Sequence, residues 1–414
     1  MQQSTQDAAP VRPEAPNPYR WAMLAGVCGV YFCFGVITAS MAPLVGRIGA
    51  ELGLSHGAMG SVLGAWPLVY IAAAIPCGAL LDRAGPRRAI ALGAAVIAAS
   101  AFLRGLADGH LELFLAVAVF GIGGPLVSVG APKVISLWFA GGERGLAMGL
   151  YIAGSLSGNA AALALTNSVA MPLAGGEWRL VLMSYGVLAA LAGLAWLALA
   201  SHAASRALER RIAAEPRRRQ AGVFAELIRI PAVQIVLVMA TGSFFFGHAL
   251  NNWLPEILAA GNGMAPEEAG YWASLPTAVS LASALVLPRL AIPSRRIAML
   301  AAMFAGAAVA PLLIEGWSDP VLATGLVLQG LVRGALSSIV ILVLMETREV
   351  GSARMGAAGG MYFTAGEIGG VLGPVTIGAL SDLTGGFSTG LYFLTFVCLV
   401  QLALLARLRR VLGR

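Results

Sequence analysis

HAASRALERRIAAEPRRRQAGVFAE, running from His202 to Glu226, is the only long hydrophilic stretch between the first apolar run of the chain and the last. It carries Arg206, Arg210, Arg211, Arg217, Arg218 and Arg219. Six apolar segments precede it, near 21–43, 57–81, 88–107, 111–139, 145–169 and 178–200. Six follow, near 229–253, 267–288, 296–314, 319–345, 355–380 and 386–408. A helix that crosses a bilayer needs about 20 mainly apolar residues, and each segment supplies close to that. The reading is an all-α polytopic membrane protein of twelve transmembrane helices in two six-helix bundles. Its divisions are a tail at 1–20, a first bundle at 21–200, a basic linker at 201–228, a second bundle at 229–408 and a tail at 409–414.

Composition agrees. The 414 residues are 58% hydrophobic and 11% charged, and the mean hydropathy is +0.81. Soluble domains carry about 25% charged residues, so a soluble enzyme, a coiled coil and a disordered chain are excluded. The net charge of +7 reflects orientation rather than nucleic acid. With the N-terminus inside, 22 of the 27 basic residues fall in cytoplasmic loops, tails or helix ends. Arg47, Arg104 and Arg179 fall on the other side, and Lys133 and Arg333 lie within spans. This bias places both termini and the linker in the cytoplasm of a bacterium, with the chain in its inner membrane. Cys28, Cys33, Cys77 and Cys398 lie in apolar segments and act as small hydrophobes. The first apolar run is too long for a signal peptide and lacks a small-residue cleavage site, so a short disordered N-terminal tail is expected.

The halves echo one another. Met148-Gly149-Leu150-Tyr151 recurs 211 residues later as Gly359-Gly360-Met361-Tyr362, each soon after a loop arginine, Arg144 and Arg354. A duplicated six-helix unit has the architecture of two bundles rocking about a central site.

Between the second and third spans stands Gly78-Ala79-Leu80-Leu81-Asp82-Arg83-Ala84-Gly85-Pro86-Arg87-Arg88. This resembles the signature loop of the major facilitator superfamily. Asp82 can accept hydrogen bonds from a helix N-terminus, Arg83 can pair with carboxylates, and Gly85 permits a tight turn. Gly78, Asp82, Arg83, Gly85, Arg87 and Arg88 are thus expected to latch the bundles at the cytoplasmic side when the protein opens outward. The matching place in the second half, Pro288-Arg289 through Arg295-Arg296, lacks the Asp and Gly. The segments 144–151, Trp253-Leu254-Pro255-Glu256-Ile257-Leu258, Ala265-Pro266-Glu267-Glu268-Ala269-Gly270, and Gly373-Pro374 through Asp382-Leu383-Thr384-Gly385-Gly386 resemble the cyanate and nitroimidazole permease branch. That branch usually carries an Asn and an Arg near the end of span 1. This chain instead reads Val36-Ile37-Thr38-Ala39-Ser40-Met41, so cyanate itself is not expected.

Ionisable groups inside a membrane are costly and mark function by default. Arg333 lies 14 residues before Thr347, about 21 Å along a helix, with Gln329 and Ser337 on the same face. The resemblance implies that spans 1, 4, 7 and 10 line a central cavity, which makes Arg333 a candidate anion ligand. Glu367 stands 13 residues after Arg354, level with Arg333, and is expected either to pair with it or to carry a coupling proton. A permanent structural bridge is the alternative. Lys133, the single lysine, sits closer to the cytoplasm and is either an inner-vestibule anion contact or an interfacial anchor. Tyr31, Thr38, Asn159, Phe245, His248, Asn251 and Asn252 are either helix contacts or ligands. Of these, Tyr31, Asn159, His248 and Asn251 join Arg333, Gln329 and Lys133 as candidate substrate contacts. His248 suits a proton-linked step, although it is placed about one turn from the outer end of span 7. Trp66, Trp253 and Trp272 are read as interfacial belt residues.

No Gly-Lys-Ser/Thr phosphate loop, nucleophile elbow or metal-ligand cluster is present, so no cofactor, metal or enzyme chemistry is expected. The expectation is a secondary transporter working by alternating access. It would move a small organic or inorganic anion inward with protons, as a monomer. A proton-driven exporter of an amphipathic compound and a non-transporting sensor are the rivals.

Overall fold

The computed structural model describes residues 17–213, 223–315, 319–347 and 349–413. The first sixteen residues, Arg217, Arg218 and Arg219 of the linker, and Arg414 lie outside the described residues. Among the described residues all regular structure is helical. In a bilayer this is the arrangement that lets each segment satisfy its own backbone hydrogen bonds.

Span 1 is Arg20–Ala39, followed by a short amphipathic helix, Val45–Leu52, which ends at Gly53 with φ 63°. Spans 2 and 3 lie within His56–Gly105 and are two helices separated by a sharp break at Gly85. There φ 77° and ψ 160° are open to glycine without strain, and Pro86 then restarts the helix at a position where no N–H is needed. Counting that break, the described residues form twelve spans. Span 4 is His110–Trp138, span 5 Gly141–Leu165 and span 6 Trp178–Ala200. The linker forms helices at Ala203–Ala213 and Val223–Leu227. Spans 7 to 12 are Pro231–Asn262, Pro266–Leu290, Arg296–Ile314, Asp319–Glu346, Gly351–Thr384 and Ser388–Val411.

Most boundaries agree with the apolar segments to within a few residues. Span 7 does not: it runs nine residues past Trp253, because Pro255 is accommodated inside the helix and the stop comes at Gly263, a left-handed C-cap with φ 67°. That extension places His248 mid-helix instead of near an end.

Span 1 packs on spans 5 and 6, and span 7 packs on spans 11 and 12. Across the halves, span 5 packs on span 8 and span 11 packs on span 2. The repeat is visible in single residues. Tyr151 of span 5 meets the Tyr31 ring at 5.0 Å, and Tyr362 of span 11 meets the Phe244 ring at 6.0 Å. Gly158 and Gly369, at the same 211-residue offset, each bring their helix onto a partner's carbonyl, those of Phe32 and Thr241. A side chain at either place would overlap backbone, so both crossings depend on glycine. Arg104 at the end of span 3 is buried and donates to the Ile37 carbonyl at 2.9 Å and Ser40 Oγ at 3.1 Å. Its cation thus meets the carbonyl end of span 1, where the helix dipole is negative.

Gly158→Val and Gly369→Val should each lower the thermal midpoint in detergent, since forcing a side chain into a packed crossing costs about 1–3 kcal/mol. An unchanged midpoint in both variants would refute the repeated close approach.

Candidate functional site

A cavity of about 230 Å³ lies between the halves, lined by spans 1, 2, 5, 7 and 10. Arg333, Asn159, His248 and Asn251 all line it, so four of the candidate ligands named from the sequence come together. Arg333 projects from span 10 and donates from Nη1 to Thr277 Oγ1 of span 8 at 3.3 Å. Thr277 in turn donates to Asn159 Oδ1 of span 5 at 3.1 Å. A short chain of hydrogen bonds thus runs from the cavity cation in the second half to a buried amide in the first. Thr277 was not singled out in the sequence; its place one helix away is invisible to spacing along one span.

His248 stands in a stack of rings. Its imidazole lies 5.4 Å from the Trp66 ring, tilted by 31°, and 5.9 Å from the Phe244 ring, at 15°. Glu367 sits behind it, 7% exposed, with Oε2 3.8 Å from His248 Nε2 and without a hydrogen-bond partner. Glu367 and Arg333 are not paired with each other, contrary to the expectation from matching depth. Distance along a helix fixes height in the membrane but not the direction in which a side chain points, and Arg333 turns to span 8 while Glu367 turns to span 7.

The other candidates lie elsewhere. Tyr31 packs its ring on Phe34 and Tyr151. Gln329 is buried within span 10 at 1% exposure, outside the cavity lining. Lys133 pairs with Asp82 at 2.5 Å, at the face that carries the chain ends. The belt reading also changes for two tryptophans. Trp66 lines the cavity, and Trp253 is fully buried, donating from Nε1 to the Pro374 carbonyl at 2.9 Å.

At the chain-end face the described ion pairs stay within one half or reach the linker. Asp82 pairs with Lys133, Arg20 with Glu143 and Arg296 with Glu346. The Arg87 backbone N–H donates to Glu209 of the linker at 3.0 Å, and Arg354 pairs with Glu226. Arg83 and Arg88 are exposed, and the Gly78 α-carbon faces open space. Among the described residues, the loop's Asp82 and Arg87 thus meet partners in their own half and the linker in this state.

At the opposite face the halves are joined. Asp382, at the end of span 11, accepts from the backbone N–H groups of His56 at 2.9 Å and Gly57 at 2.7 Å, the first turn of span 2. His56 Nδ1 lies 2.9 Å from Ser381 Oγ. Glu256 of span 7 accepts from the backbone N–H of Gly46, in the first turn of the Val45–Leu52 helix. Asn167 donates to the Pro43 carbonyl at 3.0 Å and the Pro266 carbonyl at 3.2 Å. Two carboxylates of one half thus cap two helix N-termini of the other, where unpaired N–H groups and the dipole favour negative charge. The closing residues Asp382, Glu256, His56 and Asn167 were not chosen from the sequence. Asp382 stood in a quoted turn segment, yet nothing in that segment shows that its partner lies 326 positions earlier.

A family model described as Major Facilitator Superfamily matches residues 27–374. The chain is 28% identical over 386 residues to the uncharacterized transporter YycB of Bacillus subtilis (strain 168), covering 92% of this chain and 91% of that one. It is 30% identical over 277 residues to a probable L-galactonate transporter of Escherichia coli (strain K12), covering 62% of this chain and 60% of that one. Among solved structures it overlays, with a TM-score of 0.78 and 16% identity, on an inward-facing, unoccupied bacterial homolog of the human lysosomal transporter Spinster, covering 96% of this chain and 98% of that chain.

Asp382→Ala should loosen the closed face. With a single cysteine reporter at Ser155 in a background without the native cysteines, a membrane-impermeant maleimide applied from that face should label several-fold faster, since a net loss of about 1 kcal/mol shifts the balance about fivefold. Equal labelling would mean that Asp382 does not hold the face shut.

Proposed function

The chain belongs to the Major Facilitator Superfamily, and we propose that within this family of transporters, which are not enzymes, it carries a small anion together with a proton across a bacterial inner membrane. The observation that carries this reading is a half-buried Arg333 facing the cavity between the halves, with His248 on the same lining and the Glu367 carboxyl 3.8 Å from it, its Oε2 without a hydrogen bond. Arginine keeps its charge, so its place at mid-membrane favours an anionic ligand. The E. coli relative's name, a probable L-galactonate transporter, and the segments resembling cyanate and nitroimidazole permeases support the same class.

The arginine distribution supports both termini lying in the cytoplasm, with residues 21–200 and 229–408 moving as two bodies of a monomer joined by the 201–228 linker. In that orientation the described state is closed to the outside through Asp382 and Glu256. Opening outward would release those caps and bring the signature loop, with Asp82 freed from Lys133, against the second half as the cytoplasmic latch. In the cavity, an anion arriving at Arg333 competes for the guanidinium with Thr277. Its negative charge and a proton held between Glu367 and His248 stabilise each other, and the linkage is reciprocal. Anion and proton therefore travel together, and the gradient of one drives the other. Net flow is inward under the usual proton gradient.

Arg333→Gln should remove thermal stabilisation by anionic ligands while the protein still expresses and folds. A variant that binds an anion as tightly as the native chain would overturn the cavity assignment. Glu367→Gln mimics the protonated acid, so in proteoliposomes it should still exchange ligand across the membrane but lose accumulation driven by a pH gradient. Intact pH-driven accumulation would remove Glu367 from coupling.

A further inference from the structure

The cavity's own chemistry narrows the ligand further than its charge does. Among the described lining residues Arg333 is the one permanent cation, so a second carboxylate on the ligand would have no cation to meet in a low-dielectric space. The ligand is then a monoanion. Several of the polar side chains around it are already engaged, while Asn251 Oδ1 has no hydrogen-bond partner. Thr38 and Ser243 donate to their own helix carbonyls, Phe34 O at 2.8 Å and Met239 O at 2.7 Å, and Asn252 donates to the His248 carbonyl at 2.8 Å. Asn159 already accepts from Thr277. A sugar acid would bring more hydroxyls than Asn251 and its polar neighbours can meet, and each buried hydroxyl left unpaired costs about 1–3 kcal/mol.

What the cavity offers in abundance is flat apolar surface. The Trp66, His248 and Phe244 rings follow one another along one side of the cavity, 5.4 and 5.9 Å apart, so that it is lined by aromatic rings, and Phe34, Val332 and Leu336 add to the apolar lining. Aromatic rings gain from offset stacking beyond the area they bury. The volume of about 230 Å³ is that of about eight waters at about 30 Å³ each, room for one ring with its substituent and little more.

We infer that the ligand is a compact aromatic monocarboxylate, its carboxylate on Arg333 and its ring along the Trp66–His248–Phe244 wall. This inference rests on the reading that the cavity takes an anion, and the probes separate the two claims. Binding to the purified full-length protein is measured with benzoate, its neutral counterpart benzamide, the dianion phthalate and the polyhydroxylated D-gluconate. Benzoate should bind at least tenfold more tightly than phthalate or D-gluconate, and benzamide should bind no better than they do. Arg333→Gln should abolish benzoate binding, and Phe244→Ala should weaken it about tenfold without affecting D-gluconate. If Phe244→Ala does not fold, Phe244→Leu keeps the volume and removes the ring, and the same loss is expected. D-gluconate or phthalate binding as tightly as benzoate would overturn the aromatic class and leave the anion reading standing. Binding by none of the three anions, or binding indifferent to Arg333→Gln, would overturn both.

Discussion

A permanently charged guanidinium held at the middle of an apolar twelve-helix body is the constraint around which this protein is arranged. A cation at that depth costs at least about 2.5–3.5 kcal/mol even where the surroundings relax. Arg333 makes no ion pair among the described residues; its recorded partner is a threonine hydroxyl on span 8, which passes the hydrogen bond to Asn159 of the other half. The site is therefore polar but not neutralised. The most direct compensation for such a charge is a ligand of opposite sign, which is the basis of the proposed anion site in the cavity in front of it.

The same economy of charge governs the two faces. Where the halves are joined, carboxylates of the second half sit on helix N-termini of the first, accepting from backbone N–H groups, with the His56 imidazole 3.9 Å from Asp382. Where the halves are apart, the charged groups pair inside their own half or with the linker. Alternating access needs this property: each face must hold when closed and must leave no stranded charge when open. Asp82 illustrates this, since Lys133 gives it a partner within its own half. The single lysine of the chain thus has a structural reason to lie where it does, whatever else it contacts.

The fold was legible because hydropathy and the 202–226 break are properties of contiguous sequence. The break between spans 2 and 3 was legible too, for Gly85 is followed directly by Pro86. The site was only half legible. Arg333, Asn159, His248 and Asn251 converge as polar residues in apolar spans should. The partnership between Arg333 and Glu367 did not follow, since depth was readable and azimuth was not. His248 is expected about one turn from an end because the apolar run ends near Trp253, whereas the helix continues to Asn262 with Pro255 inside it, which a membrane helix tolerates when neighbouring groups satisfy the freed carbonyl. Trp66 and Trp253 looked like belt residues for the same reason: the belt signal is a position along a helix, and these two rings point inward. Asp382 and His56 lie in different halves, and their contact exists only once the halves are docked.

Proton coupling through the pair beside Arg333 is the central claim, and it is tested most directly by counting protons as ligand binds. Calorimetric titration of the purified protein with benzoate in two buffers of different ionisation enthalpy, near neutral pH, reports the number taken up. The account predicts uptake approaching one proton per anion bound. Binding with no proton uptake at any pH between about 5 and 9 would contradict it.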